Sequence, residues 1–220
     1  MGSRERVERE KAEHRKQREE LILAEAEKLF IEKGFLAATI SDIASACELT
    51  NGAIYLYYRN KDELVLKVMT GINRQFGDLL EQSAEASASV SGLQRLKNLL
   101  DLYNRTYCEY RRYHLLDAQF NLMFSESYPD TPLLAEYYSV NKRVLEIVTK
   151  AVAAGINDGS INTDATAERL AGLLLNAVNS YVEKISIRGQ LMEAEQGISM
   201  KDELQEFLKL LLSGLSAAEK

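Results

Sequence analysis

TISDIASACELTNGAIYLYYRNKDELV, residues 39–65, is the stretch whose reading decides the fold. Thr39 stands three residues before Asp42, the spacing of a capping box, and opens a short helix through Ile43, Ala44 and Cys47. Thr50 is placed to cap a second short helix, Asn51 to Tyr57. Asn60 and Glu63 repeat the capping spacing and open a helix from Lys61 to about Ala86. Ile43, Ala44, Leu49 and Ile54 are the apolar residues that lock the two short helices together. Two short helices joined by a tight turn suit a helix-turn-helix, which offers the start of its second helix to a major groove.

Working outward, Ile22, Ala26, Leu29, Phe30 and Lys33 follow i, i+4, i+7, i+8 and i+11, one amphipathic helix that Gly34 stops. Residues 1–20 mix charges densely (Arg4, Glu5, Arg6, Glu8, Arg9, Glu10, Lys11) and read as a solvated, frayed helical extension. A basic arm reaching DNA is the sharper reading, which the interleaved glutamates weaken. Downstream, helices are expected over 92–112 and Leu115 to Phe124, and from Pro132 to Ala154, ending at Gly155. Thr163 or Asp164 should cap a helix to about Arg188, with a linker at 189–198 and a last helix opened by Ser199 and Asp202.

Composition narrows the class. Only Pro129 and Pro132 interrupt 220 residues, so long helices are permitted, and no strand-length Val/Ile/Thr alternation is found. The fold class is all-α. Two cysteines (Cys47, Cys108) and two histidines (His14, His114) exclude a zinc cluster and a disulfide framework, so neither metal nor cofactor is expected. Both cysteines read as small buried residues, and His114 as a loop or surface residue. No run of apolar residues is long enough for a membrane span and the N-terminus is no secretory signal, so the expectation is a cytoplasmic protein. The net charge is −6. Residues 1–67 hold 12 Lys/Arg and 13 Asp/Glu, so any DNA contact must come from a few well-placed groups and depend only shallowly on salt.

Those groups are Thr39, Ser41 and Thr50, short hydroxyls near helix starts, with Asn51 beside them and Gly52, where the backbone can come close. Tyr55 and Tyr57 supply flat faces and phenols, and Lys61 a charge for phosphate; Tyr58 is read as core. Thr39, Thr50, Gly52, Tyr55, Tyr58 and Lys61, taken in order with Ala26, Leu29, Phe30, Gly34, Phe35, Ile43, Ala44, Ile54, Glu63 and Leu64, form a set that resembles the DNA-binding domain of the tetracycline-repressor (TetR) family of bacterial transcription regulators. The resemblance covers residues 21–67. It implies an N-terminal three-helix DNA-binding domain (21–67, after the extension 1–20), then a larger helical domain (68–220) that binds a small effector and dimerises. Glu48 stands where the family often has a turn glycine, which suggests a slightly different turn, and Asn51 where lysine is frequent.

Within 68–220, Tyr103, Tyr107, Tyr110, Phe120, Met123, Phe124, Tyr137 and Asn176 are the candidates for an effector pocket, apolar with a few polar groups. Leu170, Leu174, Val178 and Tyr181, then Phe207, Leu208 and Leu211, form apolar stripes on the last two helices. One domain could bury these internally; the resemblance selects a four-helix interface of a homodimer. The expected partners are double-stranded operator DNA, a small lipophilic effector and a second copy of the chain. The preferred function is a ligand-released repressor, the alternative a helical sensor of the same fold without sequence-specific DNA binding. No catalytic motif (G-x-S-x-G, H-E-x-x-H or a phosphate loop) occurs, so no enzyme is expected.

Overall fold

Caps and glycines divide the chain into helices. A computed structural model describes residues 3–216, with side chains from Glu5 onward. Met1 and Gly2 of the charged extension and the last four residues of the expected C-terminal domain lie outside the described residues. Among the described residues the elements are α1 (Ser3–Ala37), α2 (Ile40–Ala46), α3 (Asn51–Tyr55), α4 (Lys61–Ala86), α5 (Gly92–Glu109), α6 (Arg111–Met123), α7 (Leu133–Asp158), α8 (Ala167–Gln196) and α9 (Met200–Ser213). Outside the helices, one isolated bridge pairs Ile161 with Ser216.

The chain forms two compact units, the first of residues 1–70 with Gln119–Tyr137, the second of Gly71–Ala118 with Tyr138 onward. In the first unit, Ile22, Ala26 and Phe30 of α1 are fully buried, as are Ile43 of α2 and Ile54 of α3. Tyr58, Leu64 and Val65 complete the core around them. Gly34 has φ 80°, a conformation only glycine adopts freely, and two helical segments meet there. Phe35 N–H beyond the kink donates to Gln119 Oε1 at 2.9 Å.

In the second unit, α8 and α9 pack with α5 around a core that includes Leu96, Leu99, Leu100, Val148, Leu174, Val178, Ile185 and Leu204. Several expectations change here. Helix α7 runs through Gly155 to Asp158. Gly155 is a close-packing residue rather than a stop, because a methyl on Gly92 would overlap its backbone. Helix α8 is capped by Thr166, whose hydroxyl accepts from Arg169 N–H, and not by Thr163 or Asp164. It continues through the expected linker because Gly189 and Met192 are buried, and it ends at Gly197 in the left-handed conformation. Helix α6 begins at Arg111, four residues early.

The expected dimer contacts are also revised. Leu170, Leu174, Val178 and Leu208 lie in the core of this single chain. Tyr181 stacks on Phe207 at 4.5 Å, and Leu211 packs beside them against the same core. Among the described residues, the large apolar side chains of α8 and α9 left in solvent are Leu173, Ile187, Leu191 and Leu210.

Candidate nucleic-acid interface

The two short helices are set by their caps. Thr39 Oγ1 accepts from Asp42 N–H at 3.1 Å, and Asp42 Oδ2 accepts from Thr39 N–H at 3.0 Å. The Thr39 hydroxyl also donates to Asp42 Oδ2 at 2.9 Å. The hydrogen bonds from the Thr39 backbone and hydroxyl, with Lys33 at 3.3 Å, hold the Asp42 carboxyl below its usual range, so it is an ionised acceptor. Thr39 therefore spends its one hydroxyl proton inside the box and has none for a phosphate. Thr50 differs: its Oγ1 accepts from Ala53 N–H at 3.2 Å, which leaves its proton free to donate outward.

Between the caps, Leu49 N–H donates to Ala44 O at 2.8 Å and closes the turn. Glu48 takes φ 54°, so the turn keeps the left-handed geometry without a glycine, at a cost of about 1–2 kcal/mol. Ile54 and Tyr58 fasten α3 from behind, and Tyr58 Oη donates to Glu19 Oε1 at 3.2 Å. Asn51, Gly52 and Tyr55 are exposed, as is Ser41 on α2. A methyl on Gly52 would meet only Thr50 Oγ1, at 3.9 Å, so nothing within the chain requires glycine there. Tyr57 is half-buried, with the Arg15 guanidinium 5.6 Å from its ring centroid. Two residues missed from the sequence share this exposure, Leu36 and Leu56, both more than three-quarters in solvent; no periodicity marks an outward leucine.

Lys61 is not a free phosphate charge. Its Nζ donates to Phe35 O at 2.7 Å and to Ala38 O at 3.1 Å, tying the end of α1 to the start of α4. Beside it, Glu63 accepts from Arg59 N–H at 2.7 Å and Arg59 Nε at 2.6 Å. Burial pushes the Glu63 carboxyl up, but these bonds and one from Thr131 outweigh it and hold the group below its usual range.

The residues expected to form one effector pocket fall in both units. In the first, Phe120, Phe124 and Tyr137 make a ring cluster with Tyr128, centroids 4.9–6.1 Å apart, and Met123 is half-buried. In the second, Tyr103 packs on Phe76 at 5.0 Å and Tyr107 Oη reaches Ile185 O at 3.5 Å. Tyr110 and Asn176 are exposed. The second unit also holds polar groups that the sequence concealed. His114 is in helix α6 rather than a surface loop; burial lowers it to about 4, and its Nε2 has no partner. Asn104 Oδ1 on α5 is likewise buried without a partner. Burial, then the charge of Glu183, raises Asp117 to about 6. Cys47 is buried as expected, but Cys108 is exposed.

Residues 22–68 match the sequence model of the bacterial regulatory proteins of the tetR family, a segment that holds α2, α3 and both caps. Over that segment the chain is similar to the tetR family. It is 37% identical over 54 residues (24% of this chain) to the uncharacterized HTH-type transcriptional regulator YuxN of Bacillus subtilis, and spans about a fifth of that protein's length (19%). It is 26% identical over 183 residues to the HTH-type transcriptional regulator TtgR of Pseudomonas putida, covering 81% of this chain and 84% of that one. Among solved structures it is similar in fold to the transcriptional regulator FadR from Bacillus subtilis in complex with stearoyl-CoA. That likeness has a TM-score of 0.67 at 17% identity and covers 89% of this chain and 98% of that one. No helix among the described residues is long and apolar enough to cross a membrane.

Two substitutions test this geometry. Lys61→Met leaves the carbonyls of Phe35 and Ala38 without their charged donor and should cost about 2 kcal/mol in urea unfolding; wild-type stability in that variant would contradict the clamp. Asp117 has a folded pKa above the usual 3.8, so it stabilises the fold below that pH and the contribution is lost as pH rises through about 6. Asp117→Asn should therefore gain roughly 2–3 kcal/mol at pH 8 and change little at pH 4. An equal effect at both pH values would show that the carboxyl titrates normally.

Proposed function

We propose that this protein is a DNA-binding transcriptional regulator of the tetR family, a repressor that leaves a palindromic operator when a small lipophilic effector binds. The observation that carries the reading is the front edge of α3. Thr50 with its free hydroxyl proton, Asn51, Gly52 and Tyr55 stand exposed, while Ile54 and Tyr58 anchor the same segment in the core. A rigid back and a polar, sterically open front are what insertion into a major groove requires. Ser41 and Thr39 flank that front, Thr39 first as a cap.

Two copies would be joined through the outward residues of α8 and α9, Leu173, Ile187, Leu191 and Leu210, since apolar exposure on that scale favours burial against a second chain. The effector would be received by the helical body. The orphaned Asn104 Oδ1 and His114 Nε2 support a ligand that carries hydrogen-bonding groups on an apolar frame, because an unmet buried polar atom costs about 1–3 kcal/mol until something pairs with it. The exposed Glu48 carboxylate in the turn favours the rival reading, a sensor of the same fold that does not read DNA.

Selection from a random duplex pool separates the two: the regulator enriches one two-fold symmetric sequence, the sensor none. Gly52→Ala sharpens the test. With open space around the added methyl and better helix propensity, the variant should be as stable as wild type or about 1 kcal/mol more stable. It should nonetheless bind the selected duplex at least tenfold more weakly, because the methyl meets DNA. Unchanged binding by Gly52→Ala would remove α3 from the groove.

A further inference from the structure

The charges of the N-terminal extension alternate along the chain but separate around the helix. Lys11, Arg15 and Arg18 follow i, i+4 and i+7, so they share one face of α1. The next residue of that row is Ile22, four beyond Arg18, which is fully buried in the helix-turn-helix core. The cationic row is thus the upstream continuation of the α1 face that packs on the DNA-binding head. Its neighbourhood agrees: Arg15 lies over the Tyr57 ring, and Glu19 accepts from Tyr58.

The glutamates mostly take the other side. Glu10 pairs with Arg6 at 3.0 Å, Glu20 with Lys16 at 3.8 Å, and Glu13 accepts from Gln17. Glu8 stands at the margin of the cationic row, three residues before Lys11. Among the described residues, no carboxylate lies within ion-pair distance of Lys11, Arg15 or Arg18, and all three are exposed. At 1.5 Å per residue the row spans about 10 Å, and its middle member, Arg15, lies over Tyr57 just past the end of α3.

We propose that this face of α1 is a second DNA contact, in which Lys11, Arg15 and Arg18 lie along the phosphate backbone flanking the groove that α3 enters. The partner is duplex phosphate rather than base edges, because three long cations without a fixed frame supply charge and not a hydrogen-bond pattern. This contact rests on the DNA-binding reading above and adds to it. Each protomer gains up to three phosphate contacts that the composition of the head alone does not suggest, so binding depends on salt more steeply than its near-neutral charge implies.

The test compares two variants of equal net charge on a random-sequence 40-base-pair duplex, by fluorescence anisotropy from 50 to 200 mM KCl. One is Lys11→Gln/Arg15→Gln/Arg18→Gln. The other, on the opposite side of the same helix, is Arg6→Gln/Arg9→Gln/Lys16→Gln. Circular dichroism checks that both stay helical. The first should flatten the slope of log K against log salt by about 2–3 per engaged arm and weaken binding at least tenfold at 100 mM. The second should keep the slope of the wild type within about one unit. Equal slopes in both variants, whether unchanged or equally reduced, would overturn the assignment of this face while leaving DNA binding intact. Absence of any duplex binding by the wild type would overturn the regulator reading and this contact with it.

Discussion

The ammonium of Lys61, held by the carbonyls of Phe35 and Ala38, fastens the end of α1 to the beginning of α4. Helices α2 and α3 are strung between those two points. With both ends of the loop fixed, seven and five residues of helix keep one orientation that neither could keep alone, since helices that short are not stable in water. The buried set of Phe30, Ile43, Ile54 and Tyr58 fills the space under them. A charged donor is suited to this place because it satisfies several carbonyls at a helix end at once, with the sign the helix dipole favours.

That frame assigns different work to residues that look alike. Thr39 and Thr50 are both N-cap threonines, yet only Thr50 retains a proton to offer, because Asp42 takes the other. Tyr55, Tyr57 and Tyr58 are close in sequence and have three environments: solvent, a guanidinium and the core. The polar front that results is small, and the cationic row of α1 enlarges it along the backbone. Recognition by shape and hydrogen bonding at α3, with charge supplied beside it, divides specificity from affinity in the way groove-binding proteins commonly do.

The helix-turn-helix was legible because its determinants are local. The Thr39 capping box, the Thr50 cap, the turn spacing and the glycine at 34 each act within four residues, and the structure places them where the spacing put them. The carbonyl partners of Lys61 were not legible because they lie 23 and 26 residues away. The stripes on α8 and α9 were legible as apolar but not as to what covers them: Leu174 and Val178 have the same period whether they meet their own chain or another. Gly155 read as a break because a glycine chosen for close packing looks the same in sequence as one that ends a helix. The aromatic residues of 103–137 were seen, but their division between two units depends on tertiary packing that periodicity does not carry. The interleaved charges of the N-terminal extension concealed a cationic face that appears only when the helix is wound.

The central claim is that the front of α3, held by the α1–α4 clamp, is the surface that meets DNA. Amide hydrogen exchange with and without a selected duplex measures this directly. Exchange should slow across Thr50 to Tyr57 on adding the duplex, while the amides of Leu96 to Leu100 in α5 stay unchanged. Protection confined to the second unit, with Thr50 to Tyr57 unaffected, would contradict the account.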